Sequence, residues 1–418
     1  MAGESQKQFQ PSTAHSPHAA VPTFSIADSS RPCEVLSKYL TFQSLDQHEW
    51  WHHGAPVINK MLSDANYDIH HQFQYLCLFG LHIVPLLGPF PTPRSGLYEC
   101  FLGLFGSLEL SKNFTASEST VRICFEPISH AAGTSSDPAN RLIINEALSR
   151  LNGIEPQVDL RLYHQLIHEL ALTDQEEILL QNRGELMKQP SKTQTILGLD
   201  LKGGAVTAKL YIIPILKSLV TGQSIQHLMW NAVRKFDERG AFKDSLAIIE
   251  DFLQTAPEST SANFLSCDLV DPEKTRLKIY VHDFHVLFGR VSDIWTMGGR
   301  LTDKETMTGL EMIRELWTAL GIHEGVRAPV ERASRPGDGP DILPLLFNYE
   351  AAPFQKVPKQ KIYFPLVGIN DMAIARVLSE FFAKYGMPEH ADSYTRNLAS
   401  YWYVLRSQET IYKFYVIY

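Results

Sequence analysis

Apolar and polar residues trade places along this chain with one of two periods, and the switch between them marks out the elements. A helical period predicts helices over Asp46–Asp64, Asn140–Leu151, Asp159–Leu170, Ser224–Asp237, Lys243–Thr255, Asp303–Leu320 and Ala373–Tyr385. Asp46, with Glu49 three residues later, has the spacing of a capping box and is expected to open the first helix. Strict alternation between these segments predicts strands. Three of them carry the same tripeptide: Lys209-Leu210-Tyr211, Lys278-Ile279-Tyr280 and Lys361-Ile362-Tyr363. Strand side chains point to opposite faces with period two, so each Lys shares a face with its Tyr while Ala208, Leu210 and Ile212, or Leu277, Ile279 and Val281, share the other. The run Thr120–Phe125 follows the same rule with Arg122 on its polar face, and Arg276 joins Lys278 and Tyr280.

Turn residues organise these runs. Lys202-Gly203-Gly204 separates Ile196–Leu201 from Val206–Ile213, which predicts an antiparallel hairpin, and Leu265–Leu269 with Arg276–Val281 predicts another. The order helix, two strands, helix recurs as an architectural repeat. Such strands have one apolar face for helices to cover and one polar face, so they imply a closed antiparallel sheet with a polar lumen inside a shell of helices. Neither a dinucleotide-binding glycine motif nor a P-loop is present, which disfavours a parallel nucleotide-binding sheet.

The chain has 418 residues, 44% apolar and 20% charged, with a net charge of −8, a balance that disfavours nucleic acid as a partner. Met1–Ser30 is rich in Ser, Pro, Ala, His and Gln and lacks a signal-like apolar core, so residues 1–32 are expected to form a disordered tail and 33–418 a single domain. The longest apolar stretch, Tyr75–Phe90, is interrupted by His82, Pro85 and Gly88, which argues against a membrane span. Five cysteines without a C-x-x-C pair suit reduced thiols and a cytoplasmic location.

Several residues are candidates for chemistry. Glu109 has apolar neighbours and reads either as a partly desolvated base or as an exposed glutamate beside a turn. Arg122, Lys209, Arg276, Lys278 and Lys361 read either as a cluster for an anionic substrate or as solvated positions at sheet edges. His164 and His168 have a metal-ligand spacing on a helix, but no third ligand accompanies them. The aspartate-rich motif that holds magnesium for diphosphate departure is absent, so protein cations are expected to neutralise any diphosphate.

Segments spread from Cys33 to His390 resemble the fungal indole prenyltransferases of the dimethylallyltryptophan synthase family. They include Trp50-Trp51-His52, Leu86-Leu87-Gly88-Pro89, Leu108-Glu109-Leu110-Ser111, Phe125-Glu126-Pro127, Leu199-Asp200-Leu201-Lys202, Arg276-Leu277-Lys278-Ile279-Tyr280 and Trp295-Thr296-Met297-Gly298-Gly299-Arg300. The resemblance implies a ten-stranded antiparallel barrel wrapped by helices, and metal-independent transfer of a dimethylallyl group from dimethylallyl diphosphate, a co-substrate, to an indole, with no cofactor. It implies that Glu109 is the base at the indole N–H, that Arg122, Lys209, Arg276, Lys278 and Lys361 bind diphosphate, and that Tyr211, Tyr280, Tyr363 and Tyr418 shield the allyl cation. Some members carry Gln at the position of Lys361.

Two departures refine this expectation. Members that use free tryptophan carry basic residues where this chain has Ile196 and Asn263, and Ala262–Pro272 looks most like members acting on tryptophan-containing cyclic dipeptides, so such a diketopiperazine is the expected acceptor. Tryptophan or another indole or phenol is the alternative. Relatives also continue beyond a helix near Tyr394–Tyr401 into two closing strands. Here the connection is shorter, Tyr403 and Tyr418 are laid on the closing tyrosines, and an open, catalytically impaired binding barrel is the alternative of another class. The protein is expected to be a monomer or homodimer.

Overall fold

The structure is a computed structural model that describes residues 31–91, 99–102, 106–189, 191–327, 343–366 and 368–406. Most of the expected tail, residues 1–30, lies outside them, and the first helix, Arg31–Tyr39, begins directly after it. The strands are β1 (Leu108–Phe114), β2 (Ser119–Phe125), β3 (Thr195–Lys202), β4 (Ala205–Ile212), β5 (Thr260–Asp268), β6 (Leu277–Asp283), β7 (His285–Val286), β8 (Gly325–Val326), β9 (Leu345–Ala351) and β10 (Lys359–Tyr363). Eight of them form one antiparallel sheet in the order β1-β2-β3-β4-β5-β6-β9-β10, and β7 pairs with β8 separately. Helices fall before, between and after the four hairpins of the sheet, in the repeating order expected from the pattern.

The ten-stranded closed barrel is not what the described residues form. The sheet has eight strands, and no pairing joins β1 to β10 among them. Tyr403, expected in a closing strand, belongs to the helix Pro388–Arg406, while Tyr418 lies outside the described residues. This helix packs beside the β1 edge, with the Phe114 and Tyr394 rings 5.8 Å apart and His390 Nε2 2.8 Å from the Thr115 carbonyl.

The sheet is nevertheless rolled. Laid flat, eight strands spaced about 4.8 Å apart would separate β1 from β10 by about 34 Å. Yet the charge of Glu109 on β1 acts on Tyr363 of β10, and that of Arg122 on β2 acts on Lys361 of β10. Alternation makes the outer face continuous with the helical shell: Ile123, Leu199, Leu210, Leu265, Ile279 and Phe347 are all fully buried in one cluster with Trp51, Leu162 and Phe252 from the helices. Burying each such side chain contributes about 1.5–3 kcal/mol, and this layer holds the roll together.

Local details differ from the sequence reading where side chains compete for the same role. Ser44, not Asp46, caps the helix Leu45–Asp64, its side chain accepting from Gln47 N. Asp46 lies one residue inside the helix and instead accepts from Phe90 N at 2.9 Å, tying the helix to the loop ahead of β1. The β3–β4 turn is the expected Gly-Gly pair, with Lys202 opposite Ala205 and φ of 59° and 80° at Gly203 and Gly204, a conformation that glycine adopts without steric cost.

Candidate active site

Register brings the candidate residues onto the inner face in diagonal rows. One row runs Glu109, Cys124, Gly198, Lys209, Asp268 across β1 to β5. Beside it, Ser111, Arg122 and Asp200 are paired. The next row runs Ile196, Tyr211, Ser266, Lys278, Glu350, and a further one Phe264, Tyr280, Asn348, Lys361. Tyr363 stands opposite Leu346. All nine described candidates therefore face one lumen, Arg276 from the residue just ahead of β6.

Glu109 sits at one end. Burial pushes its carboxyl up to about 7, and the nearby Arg122 charge opposes this without reversing it. Among the described residues no hydrogen bond is made to its carboxylate, so both oxygens remain able to accept a proton or an N–H. A carboxylate with a pKa near neutrality and an unengaged lone pair is suited to general-base chemistry.

The cations form a cluster interleaved with acids. Asp200 bridges Arg122 Nε and Lys209 Nζ, one carboxylate oxygen to each. Burial alone would raise the Asp200 pKa, but these two partners hold it at about 2. Lys209, 2% exposed, is shifted down by burial and by the Arg122 charge despite Asp200. Arg276 Nε donates to buried Asp268 at 2.7 Å, and its Nη1 lies 3.4 Å from Glu350 Oε2. Lys278 Nζ is 3.5 Å from the same Glu350 oxygen. Lys361 makes no ion pair among the described residues. Burial, followed by the charges of Arg122, Lys278 and Lys209, pushes it down to about 8. Burial first and the neighbouring cations second thus both disfavour the charged form of Lys361, and an anion beside it would favour that form.

Aromatic rings share this face with Glu109 and the cations. Ring centroids of Tyr211 and Tyr280 are 6.0 Å apart, those of Tyr280 and Tyr363 6.1 Å. Phe264 stacks on Tyr280 at 4.2 Å. With Ile196, Ile213, Leu102 and Leu346 they form an apolar cluster separate from the outer core. Asn348 Nδ2 donates to the Tyr363 hydroxyl at 2.9 Å and fixes that ring. Tyr211 lies against Gly198, where an added Cβ would sit 3.2 Å from the ring edge and 3.2 Å from Cys124 Sγ. Among the described residues no group of three or more His, Cys, Asp or Glu side chains is gathered as for a metal ion.

Sequence reasoning missed Phe264 although alternation gives it the same face as Ser266 and Asp268; the register shift between Ala262 and Phe264 falls at Asn263 and instead turns Ala262 to the outer face, opposite Val281. It also missed the acids Asp200, Asp268 and Glu350. Their signal was available, since Asp200 and Asp268 alternate onto the same face as their cationic neighbours.

A rolled antiparallel sheet, helices outside it, and a lumen carrying a buried carboxyl group, an aromatic belt and a cation cluster define the class as a prenyltransferase barrel. Comparisons agree. The family model described as tryptophan dimethylallyltransferase matches residues 46–397. Roquefortine prenyltransferase roqD of Penicillium rubens is 45% identical over 388 residues, covering 93% of this chain and 91% of its own. Prenyltransferase nanD of Aspergillus nanangensis is 42% identical over 386 residues, covering 90% and 88%. Among solved structures, AnaPT from Neosartorya fischeri superposes with a TM-score of 0.78 at 32% identity, covering 88% of this chain and 89% of its own. NotF in complex with brevianamide F and DMSPP superposes with a TM-score of 0.77 at 30% identity, covering 91% of each chain. The chain belongs to the tryptophan dimethylallyltransferase family and is an aromatic prenyltransferase.

Proposed function

We propose that this enzyme transfers a dimethylallyl group from dimethylallyl diphosphate to the indole ring of a tryptophan-containing cyclic dipeptide, without a metal ion, in indole alkaloid biosynthesis. The observation that carries the reading is the placement of Glu109 and five cations on one inner face with Tyr211, Tyr280 and Tyr363 among them. Arg122, Lys209, Arg276, Lys278 and Lys361 hold the diphosphate. At an effective dielectric near 20, a charge pair at about 4 Å is worth about 4 kcal/mol before desolvation, so several such pairs supply what a metal supplies elsewhere.

The C–O bond of the allyl diphosphate breaks with its electron pair leaving on the diphosphate, and the allyl cation forms against the tyrosine faces. Each face contributes about 0.5–2 kcal/mol and keeps water away. The indole then supplies the electron pair of the new bond, and Glu109 removes its N–H proton. Preference for a cyclic dipeptide over free tryptophan rests on Ile196, buried in the apolar luminal cluster at a position where members that use free tryptophan carry a basic residue, and on Asn263, where those members carry the arginine that meets the amino acid carboxylate. NotF, solved with brevianamide F, a tryptophan-containing cyclic dipeptide, supports this choice. One catalytic domain extends from residue 33, on the support of a single sheet fed by all four hairpins. A cytosolic location is supported by the buried free thiols of Cys124 and Cys267. No described helix is long and apolar enough to cross a membrane.

Glu109→Gln tests the chemistry, because an amide keeps the shape but accepts no proton. Turnover is expected to fall about 100- to 10,000-fold with diphosphate affinity retained. Near-wild-type turnover would remove Glu109 from this role.

A further inference from the structure

The three luminal acids are held in different ways. Asp200 uses both oxygens, one on Arg122 and one on Lys209, in close pairs. Asp268 is buried and takes the Arg276 Nε–H at 2.7 Å, on the inner edge of the guanidinium. Glu350 is engaged through one oxygen only, shared at 3.4 Å with Arg276 Nη1 and 3.5 Å with Lys278 Nζ. These are lengths at which ionic hydrogen bonds are long and weak. Glu350 also stands on β9 directly opposite Lys278, partly exposed to the lumen.

From this difference, and resting on the reading of these cations as the diphosphate clamp, we infer that Glu350 is the clamp's resident counter-anion. It neutralises Arg276 and Lys278 when the site is empty, yields them to the incoming diphosphate, and repels the diphosphate product after transfer. Asp200 and Asp268 are positioning residues that stay in place, because they hold their cations by short contacts. The five clamp cations against these three acids leave a surplus of two positive charges, and Lys359, directly opposite Glu350 on β10, raises it to three, still fewer than the four negative charges of fully ionised inorganic diphosphate. Glu350 therefore trades ground-state affinity for release of the leaving group. No bond is made or broken at Glu350, and its role is electrostatic.

Calorimetric titration of the full chain with inorganic diphosphate, in buffer containing EDTA, tests this with three variants. Glu350→Gln is expected to bind diphosphate about three- to thirtyfold more tightly than wild type, since a repelling charge within a few ångströms of the anion is removed. Its KM for dimethylallyl diphosphate and its kcat are expected to fall together as release slows, while the acceptor KM holds. Glu350→Asp, which keeps the charge but draws it back from Lys278, is expected to lie between the two. A merely structural Glu350 would weaken diphosphate in both variants, and equal or weaker binding by Glu350→Gln, or by Glu350→Asp if the amide does not fold, overturns the inference. Lys278→Ala separates the two levels of the argument: undiminished diphosphate affinity there defeats the clamp itself, whereas weakened affinity with no gain in Glu350→Gln defeats the counter-anion role alone.

Discussion

Glu109 and Lys361 stand near opposite edges of the rolled sheet, and burial moves both toward neutrality from opposite directions, up to about 7 for the acid and down to about 8 for the lysine. The signs give an asymmetric pH profile. In the proposed role Glu109 would act as a base only when ionised, so kcat/KM for dimethylallyl diphosphate is expected to rise as pH climbs through about 7. Lys361 attracts diphosphate only when protonated, so the same parameter is expected to fall above about 8. A bound diphosphate favours the charged lysine, and the basic limb should therefore move upward in kcat. Profiles of wild type and Lys361→Gln check this: the variant should lose the basic limb and keep the acidic one, and an unchanged basic limb would reassign it. Most of these residues were legible in the sequence, because alternation alone puts Lys209 with Tyr211 and Lys278 with Tyr280. The choice between a solvated edge and a crowded lumen was not legible, since it depends on how far the sheet rolls.

At the scale of elements, the hairpins were readable wherever a turn motif separated two alternating runs, as Gly203-Gly204 does. Two features were not. Ser44 and Asp46 are both good caps, and only the approach of Phe90 N decides which of them is free to act. The β5 irregularity breaks the parity rule on which face assignment rests, so Ala262 reads inward with Phe264 and Ser266 but pairs with Val281 on the outer face. Gly198 shows how tightly β3 and β4 are matched, since an added Cβ meets Tyr211 and Cys124 at 3.2 Å. Gly198→Ala is expected to cost about 1–3 kcal/mol of stability, to displace the Tyr211 ring and to let water reach the allyl cation. Thermal unfolding and the ratio of dimethylallyl alcohol to prenylated product measure both effects. An unchanged ratio would show that Tyr211 does not shield the cation.

The whole molecule divides its two tasks between the two faces of one sheet. Helices bury the outer face and supply the stability, leaving the inner face to carry charges and phenols that a solid core would not tolerate. Sequence patterning reached this architecture, but the strand count of the barrel came from resemblance, and the described residues put eight strands in the main sheet, with Tyr403 in a helix. Period-two alternation cannot count closing strands when they are short, because a few residues satisfy helix and strand patterns equally. The proposed reaction prenylates an uncharged indole acceptor using protein cations in place of a metal. The direct measurement is a competition in which the full chain, with dimethylallyl diphosphate and EDTA, is offered equal amounts of free tryptophan and a tryptophan-containing cyclic dipeptide. The cyclic dipeptide is expected to be prenylated in preference, and EDTA to leave the rate unchanged. Preferential prenylation of free tryptophan, or loss of turnover on chelation, would contradict the proposed reaction.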